Sequence, residues 1–275
     1  MRARDALLIA IFVALAASAC SRLSFVKPSA ERGRYTQVAP DYSYPDTAHS
    51  RKRSQVRAHV AESGRALDAG QPDQAASEAA AALKIDRDSP EALSMMALVE
   101  MVRGNSEQAG RHYAAAAGHA PGDGAIQNNY GAWLCRQGRA AESMEYFERA
   151  LAAPGYASPA DALANAGACA EAGGRGDRAE SYLRAALRLD PENSVALSAM
   201  AEYQYRRGNY LDARAFSQRR LAAAPATPDV LLLASQIEEK MGDTAAASVT
   251  VNGWERSSLA QCSRIPGDSS PKCHR

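Results

Sequence analysis

From about Val56 onward the chain alternates blocks of helically spaced apolar residues with short polar breaks that contain glycine. The block Asn128–Leu151 shows the unit. Tyr130-Gly131 leads into Leu134, Gly138 interrupts, and Ser143, Phe147, Ala150 and Leu151 resume the pattern. Spacings of three and four place residues on one side of a helix, and a glycine just past the last of them is a stop signal. The unit therefore predicts a helix, a glycine stop and a second helix. The same order recurs. Glycines stand at Gly70, Gly104, Gly138, Gly174, Gly208 and Gly242, with spacings of 34, 34, 36, 34 and 34. When each is numbered as position 15, position 8 is small throughout: Ser63, Ala97, Gly131, Gly167, Ala201 and Ser235. Position 20 reads Ala75, Ala109, Ser143, Ala179, Ala213 and Ala247. Position 27 reads Ala82, Ala116, Ala150 and Ala186, then Arg220 and Trp254. Position 4 is leucine at Leu93, Leu163, Leu197 and Leu231. Antiparallel helices approach closely only where side chains are small, and the large ones fill what remains. An alanine-rich chain places alanine anywhere by chance, but chance does not put six glycines in register with three small-residue columns.

A period of 34 is that of the tetratricopeptide repeat (TPR), and the columns resemble that family. The resemblance implies an all-α fold, a TPR solenoid of about six helix-turn-helix repeats in a right-handed superhelix, here over residues 56–254. The expected helix pairs are Val56–Ala69 with Pro72–Ile85, Pro90–Arg103 with Ser106–Gly118, the two halves of the central block, Ala160–Gly173 with Asp177–Leu189, and Ser194–Arg207 with Tyr210–Ala223. A sixth begins at Pro228 and its second helix near Thr244. In the family the first helix of each repeat lines a concave groove through positions 2, 5, 6, 9, 12 and 13. Here those positions include Asn128, Asn129, Arg136, Asn165, Glu202, Tyr205 and Arg206. Asparagine amides can bond an extended peptide backbone, and arginine can hold a carboxylate through two N–H groups. The plain alternative is that each of these is a solvated polar residue.

Composition narrows the class. The 275 residues carry a formal net charge of +1 and only 6 % aromatics, so no long-range attraction to nucleic acid is expected. An alanine-dominated apolar content suits stacked helix pairs better than one thick core, and no period-2 β-branched runs predict a sheet. His49, His59, His112, His119 and His274 are scattered outside any metal-binding spacing. Gly173-Gly174-Arg175-Gly176-Asp177 resembles a phosphate loop but lacks the preceding strand and the following Gly-Lys-Ser/Thr, so it reads as a turn. Cys135 has no apparent base or orienting partner for nucleophilic chemistry. No enzyme, cofactor or metal is expected.

The N-terminus carries a different signal. Arg2 and Arg4 precede an apolar run, Ala6–Ala17, and then Ser18-Ala19-Cys20. Twelve apolar residues fall short of the roughly 20 a bilayer span requires, and the order matches a secretory signal over residues 1–19. A cysteine directly after the small residues resembles the lipobox of bacterial lipoproteins, which implies cleavage before Cys20 and acylation of that residue. Ala17 stands where leucine is commonest in that motif. An ordinary signal peptide with an incidental cysteine is the alternative. Ser21 in place of aspartate implies the outer membrane in such lipoproteins, and the modification supplies the several acyl chains that stable anchoring needs. Residues 20–55, with Pro28, Pro40 and Pro45, read as a flexible tether. Within it Arg51-Lys52-Arg53 is either a contact for anionic headgroups or, as preferred here, a solvated lead-in to the first helix.

Cys135 and Cys169 fall on first helices of adjacent repeats. In an oxidising periplasm they are expected to form a disulfide; two buried thiols are the alternative. After Ala247 the repeat pattern fails. Residues 255–275 form an irregular tail with Cys262 and Cys273, which could pair locally. A frameshift would account for the tail, since codons for Val251–Leu259 can be chosen whose neighbouring frame reads as an ordinary helical ending.

The phrase Asn128-Asn129-Tyr130-Gly131-Ala132-Trp133-Leu134-Cys135, followed by Gln137-Gly138-Arg139, and the phrase Asn165-Ala166-Gly167-Ala168-Cys169-Ala170 are more specific than the generic repeat. With the lipoprotein start they resemble the PilF/PilW family of type IV pilus biogenesis TPR lipoproteins, over about Val56–Ala247. That resemblance implies an outer-membrane pilotin, lipid-anchored on the periplasmic face, that binds the pilus secretin and promotes its localisation or multimerisation. A general periplasmic TPR scaffold for envelope assembly or secretion, or a carrier for a catalytic partner, would share the same repeats.

Overall fold

The computed structural model describes residues 47–248. The expected signal peptide, Cys20, residues 20–46 of the expected tether and residues 249–275 of the tail therefore lie outside the described residues. Within them, eleven helices run in order. These are α1 (Ala48–Asp68), α2 (Pro72–Ile85), α3 (Pro90–Val102), α4 (Ser106–His119), α5 (Gly124–Arg136), α6 (Ala140–Ala152), α7 (Pro159–Ala172), α8 (Gly176–Leu189), α9 (Ser194–Arg206), α10 (Tyr210–Ala223) and α11 (Pro228–Met241). A further helical stretch occupies 244–248. The architecture is a TPR solenoid, and helix boundaries fall within a residue or so of the expected ones except at α1 and at the start of α5, which lies four residues before Asn128.

Local chemistry starts and stops the helices. Ser89, Asp123 and Asn193 cap α3, α5 and α9, each accepting a backbone N–H of the first turn. Proline opens α2, α3, α7 and α11, where a missing N–H costs nothing. The six register glycines all take positive φ, Gly138 at 75°, a conformation that side chains with a Cβ enter only with strain.

Packing follows the small columns. Positions 8 and 20 are buried in every repeat, from Ser63 and Ala75 to Ser235 and Ala247. Gly131 and Gly167 mark close approaches between the two helices of repeats three and four. A Cβ on Gly131 would lie 2.9 Å from the Phe147 ring, and one on Gly167 would lie 2.6 Å from Leu183 Cγ. The first helices α1, α3, α5, α7, α9 and α11 touch one another in file, whereas the second helices touch only the first helices beside them. Rods in contact on one side and splayed on the other must curve, so the first helices form the inner, concave face.

One departure from the sequence reading matters. The first helix starts at Ala48, so residues 48–55 belong to it rather than to the tether. Thr47 caps it, accepting from Ser50 N at 3.0 Å, and Ser50 Oγ donates to Thr47 O at 2.9 Å. Val56 is its first buried residue, so the helix precedes the point at which an apolar period can register. The two-residue insertion that the glycine spacing of 36 implies falls after α6, as expected. Gly155 turns it at φ 71°, and the Tyr156 ring lies over Gly124, where a Cβ would come within 2.6 Å of it.

Candidate functional site: the concave groove

The groove is built from α3, α5 and α7 at its centre. Asp123 caps α5 through two hydrogen bonds, from Ala125 N at 2.9 Å and Ile126 N at 3.1 Å. That fixes the phase in which Asn129, Ala132 and Arg136 present one stripe, at spacings of three and four. Two adjoining cavities share this stripe. One, about 320 Å³, is shaped by Glu91, Ser94, Met95, Leu98 and Tyr113 from the repeat before. The other, about 330 Å³, is closed by Cys135, Phe147 and Asn165.

The expected groove residues divide into three groups. Asn129 and Arg136 face both cavities. Asn129 Nδ2 reaches Ser94 Oγ at 3.4 Å, while the exposed Arg136 guanidinium has no hydrogen-bond or ion-pair partner among the described residues. Its charge is felt by the buried Tyr113 hydroxyl, which burial pushes above its ordinary pKa and Arg136 partly pulls back. Asn128, expected as a groove contact, is instead buried, and its side-chain oxygen accepts from Asn165 Nδ2 at 3.0 Å. That bond ties α5 to α7 across the repeat boundary. Glu202, Tyr205 and Arg206 sit away from this centre and pair among neighbours. Arg206 bridges Glu202, one turn back on α9, and Glu171 on α7, the latter at 3.5 Å.

Cys135 and Cys169 are joined in the structure by a disulfide, Cα atoms 5.7 Å apart. Cys135 borders the groove, whereas Cys169 is fully buried, with Ser143 Oγ 3.0 Å from its sulfur. The bridge therefore sets the spacing of α5 and α7 beside Asn129 and Asn165.

A further cavity of about 300 Å³ opens between α9 and α11, lined by Tyr205, Glu202, Asp229, Val230 and Leu233. Arg220 is among its lining residues. Where four repeats place alanine at position 27, this buried side chain lies with its guanidinium bonded to Ser198 Oγ at 3.1 Å and to the carbonyls of Ala224 at 3.0 Å and Pro225 at 3.3 Å. α9 and α11 make the sparsest contact of any successive first helices.

Several groove residues were not singled out from sequence. Ser94, Met95 and Leu98 occupy positions 5, 6 and 9 of repeat two, and Leu232, Leu233 and Gln236 occupy the same positions of repeat six. Carrying the columns into those repeats finds them. They matter because large apolar side chains are costly to leave in water. Of the six exposed ones among the described residues, four stand at groove positions: Leu98, Val102, Val195 and Leu232. The described residues include no group of three or more His, Cys, Asp or Glu placed to hold a metal ion, and no described helix is long and apolar enough to cross a membrane.

Comparison with known proteins agrees with this architecture. A tetratricopeptide-repeat family profile matches residues 170–237. No curated protein matches the sequence. Among solved structures, PilW, described as a widely conserved type IV pilus biogenesis factor, is 27% identical, covers 77% of this chain and 95% of its own, and superposes with a TM-score of 0.63. PilF of Pseudomonas aeruginosa is 22% identical over 75% of this chain and 93% of its own, TM-score 0.62, a likeness of fold. A thermophilic TPR protein of Thermus thermophilus is 21% identical over 68% of this chain and 98% of its own, TM-score 0.56. With its repeat register and its file of first helices, the chain has the tetratricopeptide-repeat fold, and it is similar to the type IV pilus biogenesis factor PilW in sequence as well as fold.

Proposed function

We propose that the chain is a pilotin-like scaffold for type IV pilus biogenesis. Its concave groove receives a segment of the pilus secretin and promotes the secretin's localisation or multimerisation in the outer membrane. Acylation of Cys20 anchors it there on the periplasmic face. One observation carries the binding role: the concave face gathers four of the six exposed large apolar side chains of the described residues, and one of them, Leu98, lines the same cavity as the unpartnered Arg136 and the Asn129 amide. A surface that mixes apolar anchors with unused hydrogen-bonding groups suits a protein segment whose alternate side chains fill pockets while its backbone or carboxylates meet amide and guanidinium. The likeness to PilW supports the pilus assignment.

The test pairs Arg136→Glu with Leu98→Asp in acylated protein recovered from outer membranes. Wild-type protein should co-purify with secretin identified by mass spectrometry, and both variants should lose it while keeping their helical circular dichroism. Secretin recovered equally with all three proteins would remove the groove. Recovery of other envelope proteins in place of secretin would assign the chain to general assembly scaffolding. Deletion of the gene should abolish twitching motility and secretin multimers.

A further inference from the structure

We propose that the solvent-exposed start of α1 is a docking surface for the anionic phospholipid bilayer to which the chain is tethered. The first fourteen residues of this helix, Ala48–Ala61, contain Arg51, Lys52, Arg53 and Arg57 and no aspartate or glutamate. All four side chains belong to exposed residues. The chain as a whole carries a net charge of only +1, so this is a local concentration rather than a general basicity.

The placement runs against helix electrostatics. The N-terminal end of a helix carries partial positive charge and favours acids in its first turn. Here the first turns hold no acid and three consecutive cations. A local rule broken without an internal gain points to an external one, and the internal gains are few. Lys52 reaches Asp86 at 3.5 Å. Arg51, Arg53 and Arg57 have no carboxylate within ion-pair distance among the described residues.

The neighbouring acids do not cancel the patch. Arg53 and Arg57 share a cavity with Asp86, Asp88 and Glu91. Asp86 is engaged by Lys52, Asp88 lies 3.7 Å from His119 Nε2, and Glu91 accepts from Ser89 Oγ at 2.9 Å. These three carboxylates weaken the field of the four cations without pairing the three arginines. The surface therefore attracts anions modestly, and modest attraction suffices on a tether. Cys20 precedes Arg51 by 31 residues, so an anchored chain keeps the patch within about 110 Å of the bilayer even at full extension. The second contact is then effectively intramolecular. Acyl chains combined with a basic patch are a recognised pair of membrane signals. Docking through α1 would hold repeat one at the bilayer and leave the groove of the later repeats facing its partner.

The inference rests on the lipid-anchor reading, and its test is independent of acylation. The full chain carrying Cys20→Ser is mixed with phosphatidylcholine vesicles with and without phosphatidylglycerol, and binding is measured by co-flotation at low and high salt. The apolar run at residues 6–17 supplies a background common to both vesicles. Wild-type protein should prefer the anionic vesicles, and high salt should remove the preference. Replacing Arg51, Arg53 and Arg57 together by glutamine should lower that preference by about 10- to 100-fold, at up to roughly fivefold per charge near a membrane surface. These substitutions relieve the charge conflict at the helix start, so the thermal midpoint should not fall. Equal binding of wild-type protein to neutral and anionic vesicles, or an unchanged preference in the triple variant, would overturn the proposal. Salt-sensitive capture by an acidic peptide with no vesicle preference would also overturn it and assign the patch to a protein. Acylation is read separately, from the mass of the membrane form, so failure of the anchor and failure of the patch are distinct results.

Discussion

Two glycines of α4, Gly110 and Gly118, should respond to the same substitution with opposite sign. A Cβ on Gly110 would lie 2.2 Å from Trp133 Cζ2, 2.4 Å from Cη2 and 2.8 Å from Cε2. Carbon atoms settle near 3.5–4.0 Å, so the indole would have to retreat by on the order of 1.5 Å. It has little room to do so. Trp133 is 8% exposed, stacks on Tyr130 with ring centroids 5.9 Å apart, and donates from Nε1 to the Ser106 carbonyl at 3.1 Å. Overpacking of this kind costs about 1–3 kcal/mol, and loss of the indole hydrogen bond adds about 0.5–1.5 kcal/mol. Alanine returns about 0.5–1 kcal/mol of helix propensity. Gly110→Ala should therefore destabilise by about 1–3 kcal/mol, or roughly 2–4 °C in melting temperature for each of those kcal/mol. Nothing lies within 4 Å of a Cβ on Gly118, so Gly118→Ala keeps only the propensity gain and should stabilise by about 0.5–1 kcal/mol. Urea titrations followed by circular dichroism at a common m-value measure both. Tryptophan emission adds an independent signal, since Gly110→Ala should expose the indole and shift its emission to the red. If the two variants are equally stable and their emission matches wild type, α4 and α5 do not approach through Gly110 and the inter-repeat packing is wrong.

Other perturbations test other parts of the molecule. Reduction, or Cys135→Ser with Cys169→Ser, opens a link across a sequence separation of 34 and should cost about 2–4 kcal/mol; an unchanged midpoint with and without reductant would show that the bridge contributes nothing. Arg220→Ala restores the alanine of its column but strips the hydrogen bonds held by the Ala224 and Pro225 carbonyls, so a loss of about 1–3 kcal/mol is expected in thermal unfolding, and a gain would mean the guanidinium is itself the burden. Tyr156 should be the last phenol seen to ionise against its own Phe variant. Burial first, then Asp161 and Asp123, push its hydroxyl up to about 12. The unfolded chain loses that proton near pH 10 while the folded chain keeps it. Tyr156 should therefore make stability fall as pH rises between about 10 and 12, and Tyr156→Phe should flatten that fall in alkaline melting curves.

The sequence revealed the repeats because close helix packing needs small residues at fixed places. Ser63 through Ser235 and Ala75 through Ala247 had to be small, and every one is buried. The start of α1 left no such trace. Its first turns bury nothing before Val56, so no apolar period could register there, and a Thr47 cap is one weak signal among many threonines and serines. Cavity shape was equally hidden. Arg220 stood out as an exception in a column of alanines, but only its bonds to Ser198, Ala224 and Pro225 show that its guanidinium turns inward at a repeat junction instead of pointing to water. The central groove was half legible for a related reason. Helical phase placed Asn128 and Asn129 on neighbouring stripes, yet phase does not say which of two adjacent amides a neighbouring helix covers. α7 covers Asn128 through Asn165 and leaves Asn129 open. The same bond makes the pair a structural tie. Asn165→Ala should therefore lower stability by about 1–3 kcal/mol by leaving the buried Asn128 oxygen unpartnered, whereas Asn129→Ala should leave stability within about 0.5 kcal/mol of wild type and weaken partner capture instead. If Asn129→Ala unfolds the protein while Asn165→Ala does not, the two residues have exchanged roles and the groove is lined by a different face of α5.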